Sequence, residues 1–324
     1  MKIIGITMGD PAGVGPEIIV KALADGGEFE HKYIVYGALD IMKYYNDKFD
    51  LGCSFKEIEN ADQYEDGCIN VIDPNHLSMN EYEIGKLSAK CGDAAYRYIE
   101  RSIQDAMDGK IEAVVTAPLN KEALHMGGHN YDGHTEIFAT LTNTKTYAMM
   151  FYGPLKIMHV STHCSLREAC DRATKERVLA CIELMNQALK KTGMKNPCIA
   201  VAGLNPHAGE HGLFGTEEIE QLIPAVEAAA EKGINAVGPI PPDTVFSKAL
   251  KGVYDGVIAM YHDQGHIAAK LQHMNDCVNC TIGLPIIRTS VDHGTAFDIA
   301  GQGIADAANM KQSMHVAEEF LKAQ

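Results

Sequence analysis

Five short apolar runs, each leading into a polar loop rich in glycine, proline or histidine, constrain this chain more than any other feature. They lie at 2–7, 111–116, 156–161, 198–203 and 256–261. Stretches of helical spacing separate them, so the pattern predicts an α/β fold: a mostly parallel sheet with helices on its faces. Between two runs, Val178, Cys181, Ile182, Met185 and Leu189 recur at helical spacing. Thr174 suits the start of that helix, Lys190 and Lys191 its negative end, and Gly193 its stop. Thr216 opens another helix, with Glu217 and Glu218 in its first turn, Pro224 forcing a break or a new start, and Gly233 at its end.

In open α/β sheets, ligands gather outside the carboxyl ends of strands. The loops that follow the five runs begin at Met8-Gly9-Asp10, Ala117-Pro118-Leu119-Asn120-Lys121, Thr162-His163, Leu204-Asn205-Pro206-His207 and His262-Asp263-Gln264-Gly265. Their placement points to one shared site. His163, His207 and His262 hold equivalent positions in three of them, and three neutral imidazoles suit a borderline divalent cation with positions left open for substrate. His129, His159, His211 and His266 stand four residues from other histidines. Because Pro206, Gly209 and Gly265 make these neighbourhoods loops, the partners read as surface or supporting residues rather than ligands. The first loop, with Pro16 at a first helical position, resembles a phosphate cradle but lacks the GxGxxG order.

The net charge of −15 argues against nucleic acid and acidic membranes as partners, so an anionic substrate requires a local basic pocket. The nine scattered cysteines fit a reducing, cytoplasmic setting, and Cys277–Cys280 lacks the second pair of a zinc ribbon. No window reads as a signal peptide or a membrane span.

The run Gly9-Asp10…Gly13-Val14-Gly15-Pro16-Glu17 resembles the amino-terminal motif of isocitrate and isopropylmalate dehydrogenases. Asp292-His293-Gly294-Thr295-Ala296-Phe297-Asp298-Ile299-Ala300-Gly301 is similar to their adenosine loop. That resemblance implies two α/β lobes with mostly parallel sheets and the active site in the cleft between them. It also implies NAD held by His293, Gly294 and Asp298. A carboxylate at Asp298 favours NAD over NADP.

Further blocks are similar to the 4-hydroxythreonine-4-phosphate dehydrogenase (PdxA) family of pyridoxine biosynthesis: Gly133-His134-Thr135-Glu136, Leu204-Asn205-Pro206-His207-Ala208-Gly209-Glu210, Pro242-Asp243-Thr244, His262-Asp263-Gln264-Gly265 and Gly283-Leu284-Pro285 through Arg288 to Gly294. The resemblance spans nearly the whole chain. It implies metal ligands at His163, His207 and His262, and substrate contacts at His134, Thr135, Lys270, Asn279 and Arg288. It further implies a homodimer in which both protomers contribute to each active site. The lobes are then expected at 1–132 plus 304–324 and at 133–303, the second carrying the metal ligands and dimer contacts.

The activity implied is oxidation of the 3-hydroxyl of a four-carbon acid 4-phosphate, with loss of carbon dioxide, using NAD and one divalent cation (Zn, Co, Mg, Mn or Ni). Lys270 and Arg288 supply the positive charge for phosphate and carboxylate. Lys121, Asp243 and Asp263 are the candidate bases. The stretch from Leu271 to Val278, and His266-Ile267, depart from the vitamin-pathway enzymes and lean toward a sister branch acting on 4-phospho-D-threonate or 4-phospho-D-erythronate. The choice between a 2-amino and a 2-hydroxy substrate stays open. A phosphate acyltransferase on the same fold, or a non-catalytic metal-dependent binding protein, are the alternatives.

Overall fold

The computed structural model describes residues 1–25, 29–272 and 277–322. Residues 273–276, part of the departing stretch noted above, lie outside the described residues. Twelve strands occur among them. In chain order they are β1 (Ile3–Thr7), β2 (Lys32–Tyr36), β3 (Phe55–Glu57), β4 (Ile69–Ile72), β5 (Ala113–Thr116), β6 (Ala148–Tyr152), β7 (Ile157–His159), β8 (Ile199–Ala202), β9 (Ala236–Ile240), β10 (Gly256–Ala259), β11 (Val278–Ile282) and β12 (Ile287–Ser290). All five expected strands are present.

The chain divides into two units. The first holds Met1–Lys145 and Leu284–Glu318, the second Thr146–Gly283 and Glu319–Gln324. The divide therefore falls after Lys145 rather than after 132, and again at Leu284 rather than 304. Pairing explains the second shift, because β12 runs parallel to β5, Arg288 opposite Val114. Within the first unit the strand order is β3-β4-β2-β1-β5-β12, parallel throughout. Such strands are covered on both faces and read as continuous apolar runs: Ile4, Ile6, Ile34, Val35, Val71, Val114 and Val115 are fully buried.

Within the second unit the order is β11-β6-β7-β10-β8-β9. Here β11, β6 and β7 pair antiparallel, and β7, β10, β8 and β9 pair parallel. The helix Lys175–Lys191 forms as its spacing predicts. Thr174 accepts from the Arg177 N–H, Val178, Cys181, Ile182, Met185 and Leu189 are buried, and Gly193 follows at φ +92°. The segment opened by Thr216 becomes a short π-helix, Glu218–Leu222, before Ile223–Glu231 restarts with Pro224 in its first turn. Nine cysteines are free thiols, and no helix among the described residues is long and apolar enough to cross a membrane.

The loop after β1 buries Asp10 completely. Its Oδ1 accepts the Ala12 N–H at 2.9 Å, whereas Oδ2 has no hydrogen-bond partner among the described residues. Burial raises this carboxyl to about 6, against the opposing pull of the Ala12 N–H. The folded chain thus holds the proton to higher pH than the unfolded chain does, so this group's stability contribution falls as pH rises from about 4 to 6 and is flat above. Asp10→Asn is expected to gain on the wild type by up to about 3 kcal/mol between pH 4 and pH 7. Urea midpoints of both proteins at the two pH values check this; parallel pH profiles would refute it.

Candidate active site

In the first unit the site is built around a buried cation. Arg288, in the middle of β12, is only 3% exposed. Its Nη2 donates to Thr116 Oγ1 at 2.8 Å, and its guanidinium carbon lies 5.7 Å from the centre of the Phe138 ring. Thr116, the last residue of β5, was not singled out in the sequence, because nothing local marks a contact across 172 positions. The helix His134–Leu141 starts after Gly133, which caps it without a side chain. His134 Nε2 is buried without a hydrogen-bond partner among the described residues. Burial first, then the Arg288 charge, holds this imidazole well below the usual histidine range, so it is neutral. Thr135 follows it, half-buried. Lys121 Cε stands 3.7 Å from where a Cβ on Gly133 would lie, which brings this exposed amine to the start of the same helix. His293, Gly294 and Asp298 are exposed on the loop after β12.

In the second unit the three histidine-bearing loops leave neighbouring strands, β7, β10 and β8. Ser161 Oγ donates to the Met260 carbonyl at 2.9 Å, tying the first loop to the second. Gln264 Nε2 donates to the Gly203 carbonyl at 2.8 Å, and its Oε1 accepts the Met260 N–H at 2.7 Å, tying the second to the third. The rings of His163 and His262 come to 5.8 Å, centre to centre. Asp263 Oδ1 accepts from His262 Nδ1 at 2.6 Å, which keeps the proton there and leaves Nε2 as the donor atom for a cation. Asp263 is therefore occupied in orienting a histidine. Asp243 is exposed in the first turn of Pro242–Leu250.

His207 does not join that pair. No group of three or more His, Cys, Asp or Glu side chains among the described residues of one chain could hold a metal ion. His207 stands on the neighbouring loop, after β8. That loop is unusual: His207, Ala208, Gly209, Glu210 and His211 all have φ between +43° and +80°. A left-handed run of this kind costs non-glycine residues about 1–2 kcal/mol each. Glu218, 1% exposed, holds its root. Its Oε1 accepts the N–H groups of Leu204 and Asn205 at 2.8 and 2.7 Å, and its Oε2 accepts from Asn205 Nδ2 at 2.9 Å. The exposed apolar residues Leu213 and Phe214 follow, with the Phe214 ring 6.1 Å from that of His207.

One expectation is corrected. Gly265 does not mark a loop; it lies inside the helix His262–Gln272. Glycine is needed there for close approach, since a Cβ would stand 2.3 Å from His159 Nε2. The helix stacks His266 on His262 at 3.5 Å and lets His266 Nδ1 donate to the His262 carbonyl at 3.0 Å. His159 is no surface residue but is 1% exposed, between Phe151 and His266. Burial and the neighbouring imidazoles push His159 down to about 3 and His266 down to about 4. Lys270 is exposed on the same helix, and Asn279, on β11, has a buried Oδ1 without a hydrogen-bond partner among the described residues. Cys277 and Cys280 are buried thiols flanking it.

Comparison with known proteins follows the same lines. The family model of pyridoxal phosphate biosynthetic protein PdxA matches residues 30–317. The chain is 50% identical over 323 residues to the D-threonate 4-phosphate dehydrogenase of Salmonella typhimurium, covering 98% of this chain and 99% of that protein. The crystal structure of 4-hydroxythreonine-4-phosphate dehydrogenase from Klebsiella pneumoniae is similar with a TM-score of 0.89 at 44% identity, over 99% of this chain and 100% of that one. A terephthalate 1,2-cis-dihydrodiol dehydrogenase from Burkholderia xenovorans is similar at 28% identity and a TM-score of 0.72, over 98% and 97% of the two chains.

Proposed function

This chain belongs to the family of pyridoxal phosphate biosynthetic protein PdxA, and from that premise we propose that it is a dehydrogenase oxidising the 3-hydroxyl of D-threonate 4-phosphate, with decarboxylation. Membership at 50% identity leaves the acyltransferase alternative without support. The observation that carries the reading is Arg288: a permanent cation buried beside a neutral His134 in a chain of net charge −15. A guanidinium held in place beside a neutral imidazole suits the recognition of a small polyanion.

In this reading Arg288 takes a carboxylate or phosphate through parallel bonds. His134 and Thr135, at an N-terminal helix turn without a side-chain cap, add directional contacts, and the family resemblance assigns Lys270 and Asn279 as further substrate contacts. His163 and His262 would hold a divalent cation together with His207 of a second copy of the chain. The family resemblance supports a homodimer with shared sites, and so do the exposed Leu213 and Phe214 beside His207. His293, Gly294 and Asp298 would hold NAD. When bound, the cation supplies polarisation of the substrate oxygens and the nicotinamide a hydride acceptor.

Lys121 is the base we assign to the 3-hydroxyl proton, since Asp263 is engaged with His262. Oxidation leaves a ketone β to the carboxylate, and the C–C electron pair passes to the ketone oxygen as carbon dioxide departs. Lys121, now protonated, can return its proton to the resulting enolate.

The test is a side-by-side measurement of kcat/KM for D-threonate 4-phosphate, D-erythronate 4-phosphate and 4-hydroxythreonine 4-phosphate, with NAD or NADP, before and after chelation. D-threonate 4-phosphate with NAD is expected to lead by at least about tenfold, a difference of 1.4 kcal/mol. A lead for the amino substrate would move the chain to the vitamin branch, and no turnover of any would sink the reading.

A further inference from the structure

Two motifs at opposite ends of the chain meet across a partly buried ion pair. Glu17, fully buried on the helix Gly15–Ala24, accepts from Lys21 Nζ at 2.8 Å and from the Ala305 N–H at 3.0 Å through Oε1; its Oε2 accepts the Gly303 N–H at 3.4 Å. Lys21 Nζ donates in turn to the carbonyls of Gly303 and Ala305, at 2.8 and 2.9 Å. Two side chains one helical turn apart therefore satisfy the N–H and the C=O of both residues. Gly303, at φ +77°, is also pressed against Phe49, where a Cβ would stand 2.9 Å from the ring. At the other end of the loop, the Val14 N–H donates to the Thr295 carbonyl at 3.0 Å, and a Cβ on Gly13 would stand 2.8 Å from that oxygen. The stretch from Thr295 to Ala305 is thus held at one end by the loop that leads into the first helix and at the other by the helix itself, while Asp298 stays exposed between the anchors.

We propose that Glu17 and Lys21 are positioning residues for dinucleotide binding: they set the exposed loop in its binding shape before the cofactor arrives. The inference rests on the reading of His293, Gly294 and Asp298 as the cofactor contacts. Apolar side chains in place of the pair would leave four backbone groups without partners. A loop ordered in advance costs less to order on binding, so the gain appears in cofactor affinity rather than in the chemical step.

The test uses the full-length protein with Lys21→Met, which keeps the stem but removes the three donors, and Lys21→Arg as the conservative variant. Calorimetry gives the Kd for NAD, and hydrogen exchange without NAD reports on residues 294–305. Lys21→Met is expected to raise the Kd for NAD about tenfold or more and to speed exchange in the loop. The KM for the phosphorylated acid and kcat at saturating NAD are expected to stay within about twofold. Lys21→Arg is expected to restore most of both. Faster exchange with an unchanged Kd, or neither change, overturns the proposal. If Lys21→Met does not fold, Gly303→Ala strains the anchored end from the Phe49 side with the ion pair intact, and the same two readouts apply. Asp298→Ala separates the two ideas. An unchanged Kd for NAD there removes the cofactor reading itself, whereas a weakened Kd there with a normal one in Lys21→Met removes only the positioning role.

Discussion

His207→Ala is expected to lower kcat by about three orders of magnitude or more and to abolish stimulation by added divalent cation, the scale of losing several kcal/mol of transition-state stabilisation. Folding is expected to suffer little, because His207 is exposed and its nearest ring neighbour, Phe214, is 6.1 Å away. Backbone conformation complicates that substitution. His207 sits at φ +54°, where histidine and asparagine are tolerated better than alanine. His207→Asn is therefore the cleaner variant: it accepts the left-handed backbone and removes the imidazole. Equal loss of cation content and turnover in both variants, with urea midpoints near the wild type, supports the ligand role. Wild-type cation dependence in His207→Asn would end it. Because the proposed sites are shared between two chains, mixing His207→Asn with a variant inactivated at Arg288 is informative too. Shared sites predict partial recovery of activity in mixed dimers.

Arg288→Lys is expected to cost about 2–4 kcal/mol in kcat/KM, roughly 30- to 1000-fold, from the loss of a bidentate charged contact. The guanidinium is fixed by Thr116 Oγ1 on one side and faces the Phe138 ring on the other. A lysine ammonium is a point charge that cannot keep the threonine contact and grip an anion along two parallel bonds. The charge itself survives, so an effect within assay error would show that only long-range attraction matters. Thr116→Val, which leaves the cation and removes its fixed partner, is the natural control and is expected to cost less than Arg288→Lys.

Much of this is legible in the sequence alone. The runs at 2–7, 111–116, 156–161, 198–203 and 256–261 hold strands whose apolar side chains are buried on both faces of the sheet. Short edge strands such as Phe55–Glu57 carry no such run and were missed. Gly265 misled because glycine is read locally as a turn former, whereas its reason here is a histidine more than a hundred positions away. The same holds for Thr116, Glu218 and the Glu17–Lys21 pair. Each works through partners that folding alone brings near, and periodicity carries no record of them. The left-handed run at 207–211 had glycine as a hint but not its length, since four of its five residues carry side chains.

The return of residues 284–318 to the first unit bears on how the chain is made. The parallel partner of β5 on its open side, β12, leaves the ribosome only after the whole of Thr146–Gly283 has been synthesised. During that interval the nascent first unit presents β5 with unpaired backbone groups along one edge. The second unit has nearly all its residues in one continuous segment and is free to fold while the first waits. Truncations ending shortly before Ile287 should therefore leave a sticky, chaperone-dependent amino-terminal half, even where the middle of the protein is already native.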